Sequence, residues 1–172
     1  MNHSIRLAKP EDANAIAKVH IQSWRETYPG IMPQKKIASL NIERGVLHWQ
    51  NAIETSEAVF VALVEERVVG FVSGGKNREN SDCETGIGNA CESELTAMYL
   101  LEECQGHGIG RALFEAFSAK MRSLGYKSMV SWCAEKNPAT HFYQWMGGEL
   151  VDRRIMIICE ENIPVVAYRY WL

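Results

Sequence analysis

The order of patterned segments predicts a mixed α/β domain. Three observations carry that expectation. The β-rich runs 58–64 (AVFVALV) and 67–73 (RVVGFVS) are separated only by Glu65 and Glu66, as in a hairpin. A further strand-like run, 94–101 (ELTAMYLL), leads through a glycine-rich turn into a strongly amphipathic helix. The whole chain then reads β, two helices, three strands, helix, strand, helix, two strands, which mixes the two element types along one chain. At 172 residues this is expected to be a single domain, residues 1–172.

Each element has a local reason. Residues 4–8 (SIRLA) alternate as a short strand. Pro10 suits a first helical turn, with Glu11 and Asp12 at its positive end. Ala13, Ile16, Ala17, His20 and Trp24 then recur at helical spacing, so the helix is expected to run to about Trp24. YPGIMP (28–33) breaks it with two prolines and a glycine. A second helical stretch lies within 34–54, interrupted at Gly45. The polar stretch 74–92 reads as a long loop. Ile109, Leu113, Ala116, Phe117, Met121 and Leu124 form one apolar stripe that ends at Gly125, a helix terminator. KSMVSWC (127–133) reads as a buried strand, and NPATHFYQWMGG (137–148) as a helix with an Asn-Pro start and a glycine stop. Strands over 149–159 and 164–171 complete the chain.

Composition removes several functional classes. With 47% hydrophobic and 23% charged residues the chain reads as an ordinary globular protein, and a net charge of −3 argues against a nucleic-acid partner. No apolar run approaches the length of a membrane span, and the start MNHSIRLAKPEDANAIA lacks a signal-peptide core. The five cysteines, Cys83, Cys91, Cys104, Cys133 and Cys159, form no CxxC pair. Neither a disulfide framework nor a structural zinc site is expected, and scattered thiols suit the cytoplasm.

The functional signal is QGHGIGRALFEAF (105–117). Strand, glycine turn and helix together aim unpaired amides, reinforced by the helix dipole, at an anion. Glycine permits the backbone angles and the close approach that such a cradle needs. Two nucleotide motifs are absent. GxGxxG would need glycine where Arg111 or Leu113 stands, and no GK[ST] ending exists for a P-loop. What stands here fits [QR]-x-x-G-x-[GA]; the alternative is a glycine-rich connection without a ligand.

ELTAMYLLEECQGHGIGRALFEAF (94–117) together with NPATHFYQWMGG (137–148) resembles the GNAT superfamily of acetyl-CoA-dependent N-acetyltransferases. The order of strands and helices matches over most of the chain. The resemblance implies a mixed, mostly antiparallel central sheet flanked by helices. It implies acetyl-CoA as cosubstrate, with no metal. Coenzyme A pyrophosphate would be bound by the amides of Gly106, His107, Gly108, Ile109, Gly110 and Arg111, with Gln105 at the family's Gln/Arg position. His107 and Arg111 would add charge near the phosphates or remain solvated. Met98, Tyr99 and Leu100 would lie beside the pantetheine arm and thioester, the Met98 N–H polarising the acetyl carbonyl. Asn137 would hold the pantetheine arm, and Tyr143 would protonate the departing thiolate or serve as a core aromatic.

For removal of the amine proton the resemblance offers Glu94, with Glu92 second and a water relay as the other route. Cys104 and Cys133 lack a base partner and read as packing residues. Trp24 and Tyr28 would wall a cationic acceptor and Glu26 would pair with it, or Trp24 would be core and Tyr28 a staple over the turn. The acidic residues Glu79, Asp82, Glu84 and Glu92 of the 76–92 loop would attract a basic acceptor or lie in solvent. The expected partner is a small-molecule or peptide amine, with no nucleic acid or membrane. A homodimer in which IPVVAYRYW pairs across an interface is a further expectation. A non-catalytic acyl-CoA sensor on the same fold is the alternative to an enzyme, and a longer acyl group an alternative to acetyl.

Overall fold

The computed structural model describes residues 1–78 and 90–172. Its strands are β1 (Ser4–Leu7), β2 (Ala58–Val64), β3 (Arg67–Lys76), β4 (Ser93–Leu100), β5 (Ser128–Ala134), β6 (Glu149–Ile158) and β7 (Glu161–Trp171). Its helices are α1 (Ala13–Thr27), α2 (Gln34–Ala38), α3 (Ile42–Thr55), α4 (Ile109–Ser123) and α5 (Ala139–Trp145). The strands form one seven-stranded sheet in the order β1-β2-β3-β4-β5-β7-β6. Every pairing is antiparallel except β4 with β5.

Apolar alternation assigns the two faces. On one, α1 and α3 cover Phe71 and Tyr99, with His20 and Trp49 packed edge-on to Phe71. On the other, Leu113 and Phe117 of α4 approach Gly70 and Gly74, and Phe114 meets Phe142 of α5. Phe71, Phe117, Ile109, Leu113 and Met121 are fully buried, which accounts for the apolar stripe along α4.

The expected helix within 34–54 is two helices, and the break falls at Leu40–Asn41, not at Gly45. Asn41 caps α3 by accepting the Arg44 N–H at 3.0 Å. Gly45 sits inside α3 because a Cβ there would lie 3.1 Å from that of Ala17, so glycine permits α1 and α3 to close together. A 3-10 turn, Pro10–Asp12, precedes α1, which continues to Thr27, beyond the expected Trp24. β3 continues to Lys76, and the residues expected as loop at 74–76 pair with Leu95, Glu94 and Ser93. Glu79, Asp82, Cys83 and Glu84 lie outside the described residues. β7 is interior, paired with β5 and β6, so its edges are taken and the free edges belong to β1 and β6. Among the described residues no helix is long and apolar enough to cross a membrane.

Both tight hairpins turn through left-handed residues that are not glycine: Glu65 and Glu66 (φ 49° and 62°), and Cys159 and Glu160 (φ 48° and 69°). Mirror-image turns of this kind match strand twist but favour Asn-Gly. Glu65→Asn with Glu66→Gly also removes two adjacent like charges. It is expected to raise unfolding stability by about 1 kcal/mol, measured as a higher urea midpoint at unchanged slope.

Candidate cofactor cleft and active site

The site begins with a defect in the sheet. Parallel pairing of β4 with β5 covers only Ser93↔Met129, Glu94↔Val130 and Leu95↔Ser131, after which the strands separate. At the same level the β3–β4 register slips from Ser73↔Ala97 to Gly74↔Leu95, leaving Thr96 as an extra residue. The Thr96 hydroxyl donates to the Ser73 carbonyl at 3.0 Å and holds that bulge. Leu101 N–H donates to Val69 O at 3.0 Å, which sets the phase of the strand. By alternation, Met98 and Leu100 turn their backbone groups away from β3, towards the gap. A stretch of unpaired strand edge inside a protein invites an extended ligand.

The gap widens into a cleft of about 640 Å³. Its walls include Met98, Tyr99 and Leu100 of β4, Trp132 and Cys133 of β5, Asn137, and Phe142 and Tyr143 of α5. Gly106, Gly108, Gly110 and Arg111 form its mouth, and Glu26 and Tyr28 close it from the end of α1.

The mouth has the geometry of an anion cradle. Gly106 and Gly108 adopt φ of +77° and +81°, and a Cβ on either would meet nothing within 4 Å, so the space before them is open. Gly108 occupies the N-cap of α4, and Ala112 N–H is the amide that reaches the Gly108 carbonyl, at 3.0 Å. The amides of Ile109, Gly110 and Arg111 precede it in the first turn, where intrahelical acceptors run out. Gly110 serves a different purpose: its Cα faces Phe142 and Met98, where a Cβ would stand 3.5 Å and 3.7 Å away. Gln105 donates to Leu100 O at 3.2 Å and ties the bend to the end of β4, while His107 Nδ1 contacts Gln105 O at 2.8 Å. Arg111 pairs with Glu115 and lies over the exposed Trp145 ring.

The cleft floor is phenolic. Tyr143 is buried, stacks on Tyr168 at 6.0 Å between centroids, and receives the Tyr170 hydroxyl on its carbonyl oxygen at 3.0 Å. Burial, with smaller contributions from Cys133, Tyr170 and Tyr28, pushes its phenol far above the ordinary value, so the proton stays on oxygen. Burial likewise pushes the Cys133 thiol up to about 12, which fits a packing residue and not a nucleophile. Asn137 is buried, accepts the Ala139 N–H at 2.9 Å and donates to the Tyr28 hydroxyl at 3.3 Å. Ser23, also on the wall, has a buried hydroxyl without a partner among the described residues.

Several expected residues stand elsewhere. Glu94 is buried, and both its oxygens accept from Arg78, at 2.7 and 3.0 Å; it is not part of the cleft wall. Glu92 accepts the Lys127 N–H at 2.6 Å, at the start of β5. Trp24 donates its indole N–H to the Tyr99 hydroxyl at 2.9 Å and stands behind the wall. Ile109 is fully buried and His107 projects to solvent, so only their amides belong to the bend. Glu26 accepts from Glu102 N–H at 3.3 Å, linking α1 to the turn after β4. Sequence reasoning missed Trp132, Phe142 and Trp145; the aromatic content of HFYQW was the available signal for the last two.

A second pocket, of about 580 Å³, lies on the α1–α3 face. It shares Thr96, Ala97 and Tyr99 with the cleft, so the two cavities meet across the bulged part of β4. His20 lines it, surrounded by Trp24, Trp49, Phe71 and Tyr99. Desolvation first, then His48 and Lys36, lower its pKa to about 4. A histidine that titrates near 6.5 when unfolded and near 4 when folded binds its proton more tightly unfolded. Its stabilising contribution is therefore complete above pH 6.5 and declines as pH falls towards 4. The expected loss is on the order of 2 kcal/mol, allowing for partial exposure. Denaturant titrations between pH 7 and 4 check it, and His20→Phe should remove that slope.

Comparisons with known proteins agree with this geometry. The model of the acetyltransferase (GNAT) family matches residues 14–147. The uncharacterized N-acetyltransferase YuaI of Bacillus subtilis is 37% identical over 167 residues, covering 96% of this chain and 87% of that one. The probable N-acetyltransferase Rv2775 of Mycobacterium tuberculosis is 26% identical over 176 residues, covering 99% and 94%. Among solved structures, PaiA N-acetyltransferase from Thermoplasma acidophilum in complex with coenzyme A superposes with a TM-score of 0.73 at 19% identity, covering 99% of this chain and all of that one. YncA, a putative acetyltransferase from Salmonella typhimurium with its cofactor acetyl-CoA, gives 0.74 at 18%, covering 99% and 94%.

Proposed function

Because the chain belongs to the GNAT acetyltransferase family, we propose that it transfers an acetyl group from acetyl-CoA to the primary amine of a small molecule or peptide. The observation that carries this reading is the left-handed Gly106–Gly108 bend, open to solvent, at the mouth of a cleft that follows the unpaired edge of β4. Scattered thiols favour the cytoplasm as its place of action.

Acetyl-CoA supplies an activated acyl thioester. The chain's part is to bind and orient it, and to manage charge and protons. The amides from Gly106 to Arg111 hold the diphosphate through unpaired N–H groups and the α4 dipole. The Met98 backbone groups and the Leu100 N–H grip the pantetheine arm as a neighbouring strand would, the Leu100 carbonyl being held by Gln105. The Met98 N–H stabilises the negative charge that grows on the acyl oxygen. As the amine nitrogen bonds to the acyl carbon, the C–S bond breaks and its electron pair leaves on sulfur. Tyr143, held protonated, donates to that sulfur. The nitrogen sheds its proton to a water relay, since the Glu94 carboxylate is engaged by Arg78.

Release of free thiol from acetyl-CoA, followed across spermidine, amino acids, aminoglycosides and lysine peptides, tests the reaction. At least one class should be acetylated; turnover with none, despite tight coenzyme A binding, would favour the sensor reading. Gly108→Ala places a side chain on a left-handed residue facing the phosphates. The free bend of the variant should relax out of that conformation, so binding must restore it at a cost of about 1–2 kcal/mol, roughly a tenfold loss of coenzyme A affinity in calorimetric titration.

A further inference from the structure

We propose that the acceptor is an amine that also carries a carboxylate, and that it enters through the pocket on the α1–α3 face. This rests on the acetyltransferase reading and adds the acceptor's chemical class to it. The pocket reaches the bulged part of β4 from the side opposite α4 and α5, and shares Thr96, Ala97 and Tyr99 with the cofactor cleft. A molecule seated there approaches the strand next to Met98 without entering through the mouth at Gly106–Gly108.

The unsatisfied groups on its wall select the ligand. Lys76, at the end of β3, has no ion pair among the described residues. Trp49 is 2% exposed, and its indole N–H is buried without an acceptor among the described residues. An indole N–H is a donor only, and an ammonium is a donor and a cation. Both call for an anionic oxygen. Of the nearby carboxylates among the described residues, Glu94 accepts Arg78 on both oxygens and is neutralised, while Glu57 accepts only the Tyr126 hydroxyl, at 2.7 Å. His20, with its pKa lowered to about 4, is uncharged at neutral pH and adds no cation that would repel the reacting amine. A polyamine would find Lys76 opposing it, with Glu57 as the one carboxylate of the pocket among the described residues that no cation holds.

The spacing sets the acceptor's length. Lys76 stands three residues along β3 from Ser73, which pairs with Ala97. That separation is roughly 10 Å, and the flexible lysine stem can fold back over part of it. Amine and carboxylate can therefore be separated by one to several carbons, so both α- and ω-amino acids belong in the test.

The experiment uses acetyl-CoA with glycine, longer α- and ω-amino acids, the matching amino amides, and spermidine. Free thiol and acetylated product are both measured. At least one amino acid should exceed its amide and spermidine in kcat/KM by tenfold or more. Lys76→Ala should raise KM for the acid at least tenfold, with kcat and the acetyl-CoA KM held, and should erase the preference for acid over amide. Trp49→Phe, which keeps an aromatic ring, though a smaller one, and loses the donor, should shift in the same direction. Equal rates for acid and amide, or a preference for spermidine, would overturn the carboxylate assignment and leave the acetyltransferase reading standing. The His20 and His48 ring signals, followed by NMR during amino-acid titration of the coenzyme A complex, separate the remaining case. Shifts without turnover support the pocket assignment and count against catalysis. No shift and no turnover overturn both.

Discussion

Replacing Tyr143 by Phe is expected to lower the rate of acetyl transfer by roughly 10²–10⁴-fold, the range lost with a positioned proton donor. Coenzyme A affinity should not change. The separation follows from how the residue is held. Its ring stacks on Tyr168, and its backbone carbonyl, not its phenol, receives the Tyr170 hydroxyl. Phenylalanine keeps the ring and the backbone carbonyl and removes the hydroxyl alone. Burial holds the phenol protonated far above neutral pH, so the proton is present when the thiolate leaves, and a phenol that is the weaker acid of the two takes it back at once. Steady-state kinetics with acetyl-CoA and the best amine of the panel, alongside calorimetric titration with coenzyme A, make the measurement. A rate within twofold of the parent would mean that Tyr143 only fills the core and that sulfur takes its proton from water.

The parts of this site that were legible in the sequence are those whose chemistry is local. Gly106 and Gly108 announce left-handed backbone because few other residues adopt it without strain. The stripe from Ile109 to Met121 announces a helix buried on one side, and the helix start at Asn137–Pro138 gives the position of Tyr143 within α5. What was not legible depends on contacts between distant segments. The carboxylate of Glu94 is paired with Arg78 across two strands, and nothing near Glu94 in the sequence indicates that partner. Trp24 and Tyr99 meet across 75 positions, so an aromatic on α1 became a support for the wall instead of the wall itself. Gly45 looked like a helix breaker because its reason for being glycine is the neighbouring helix, at Ala17. The α1–α3 pocket draws on α1, α3, β3 and β4 together, and no segment alone carries a motif for it.

Gly74 tests the structural premise on which the cleft depends. It stands where the β3–β4 register slips, opposite the segment at which β4 leaves β5. A Cβ there would lie 2.1 Å from the Glu94 carbonyl oxygen and 2.6 Å from the Phe117 ring. The oxygen is backbone in the centre of a sheet, and Phe117 is fully buried under α4, so neither neighbour yields easily. Gly74→Ala is therefore expected to destabilise the fold by at least about 3 kcal/mol, the upper range for overpacking a tight core. Urea unfolding by circular dichroism measures the loss. Any folded fraction should bind coenzyme A more weakly, because relief of the clash must push β4 away from β3, into the gap. Gly30→Ala is the reference: that glycine is also left-handed, but nothing lies within 4 Å of its would-be Cβ. It should lose only the 1–2 kcal/mol of backbone strain and keep coenzyme A affinity. If Gly74→Ala were no worse than Gly30→Ala, the bulge at Thr96 would not be held by close packing. The separation of β4 from β5 would then need another cause.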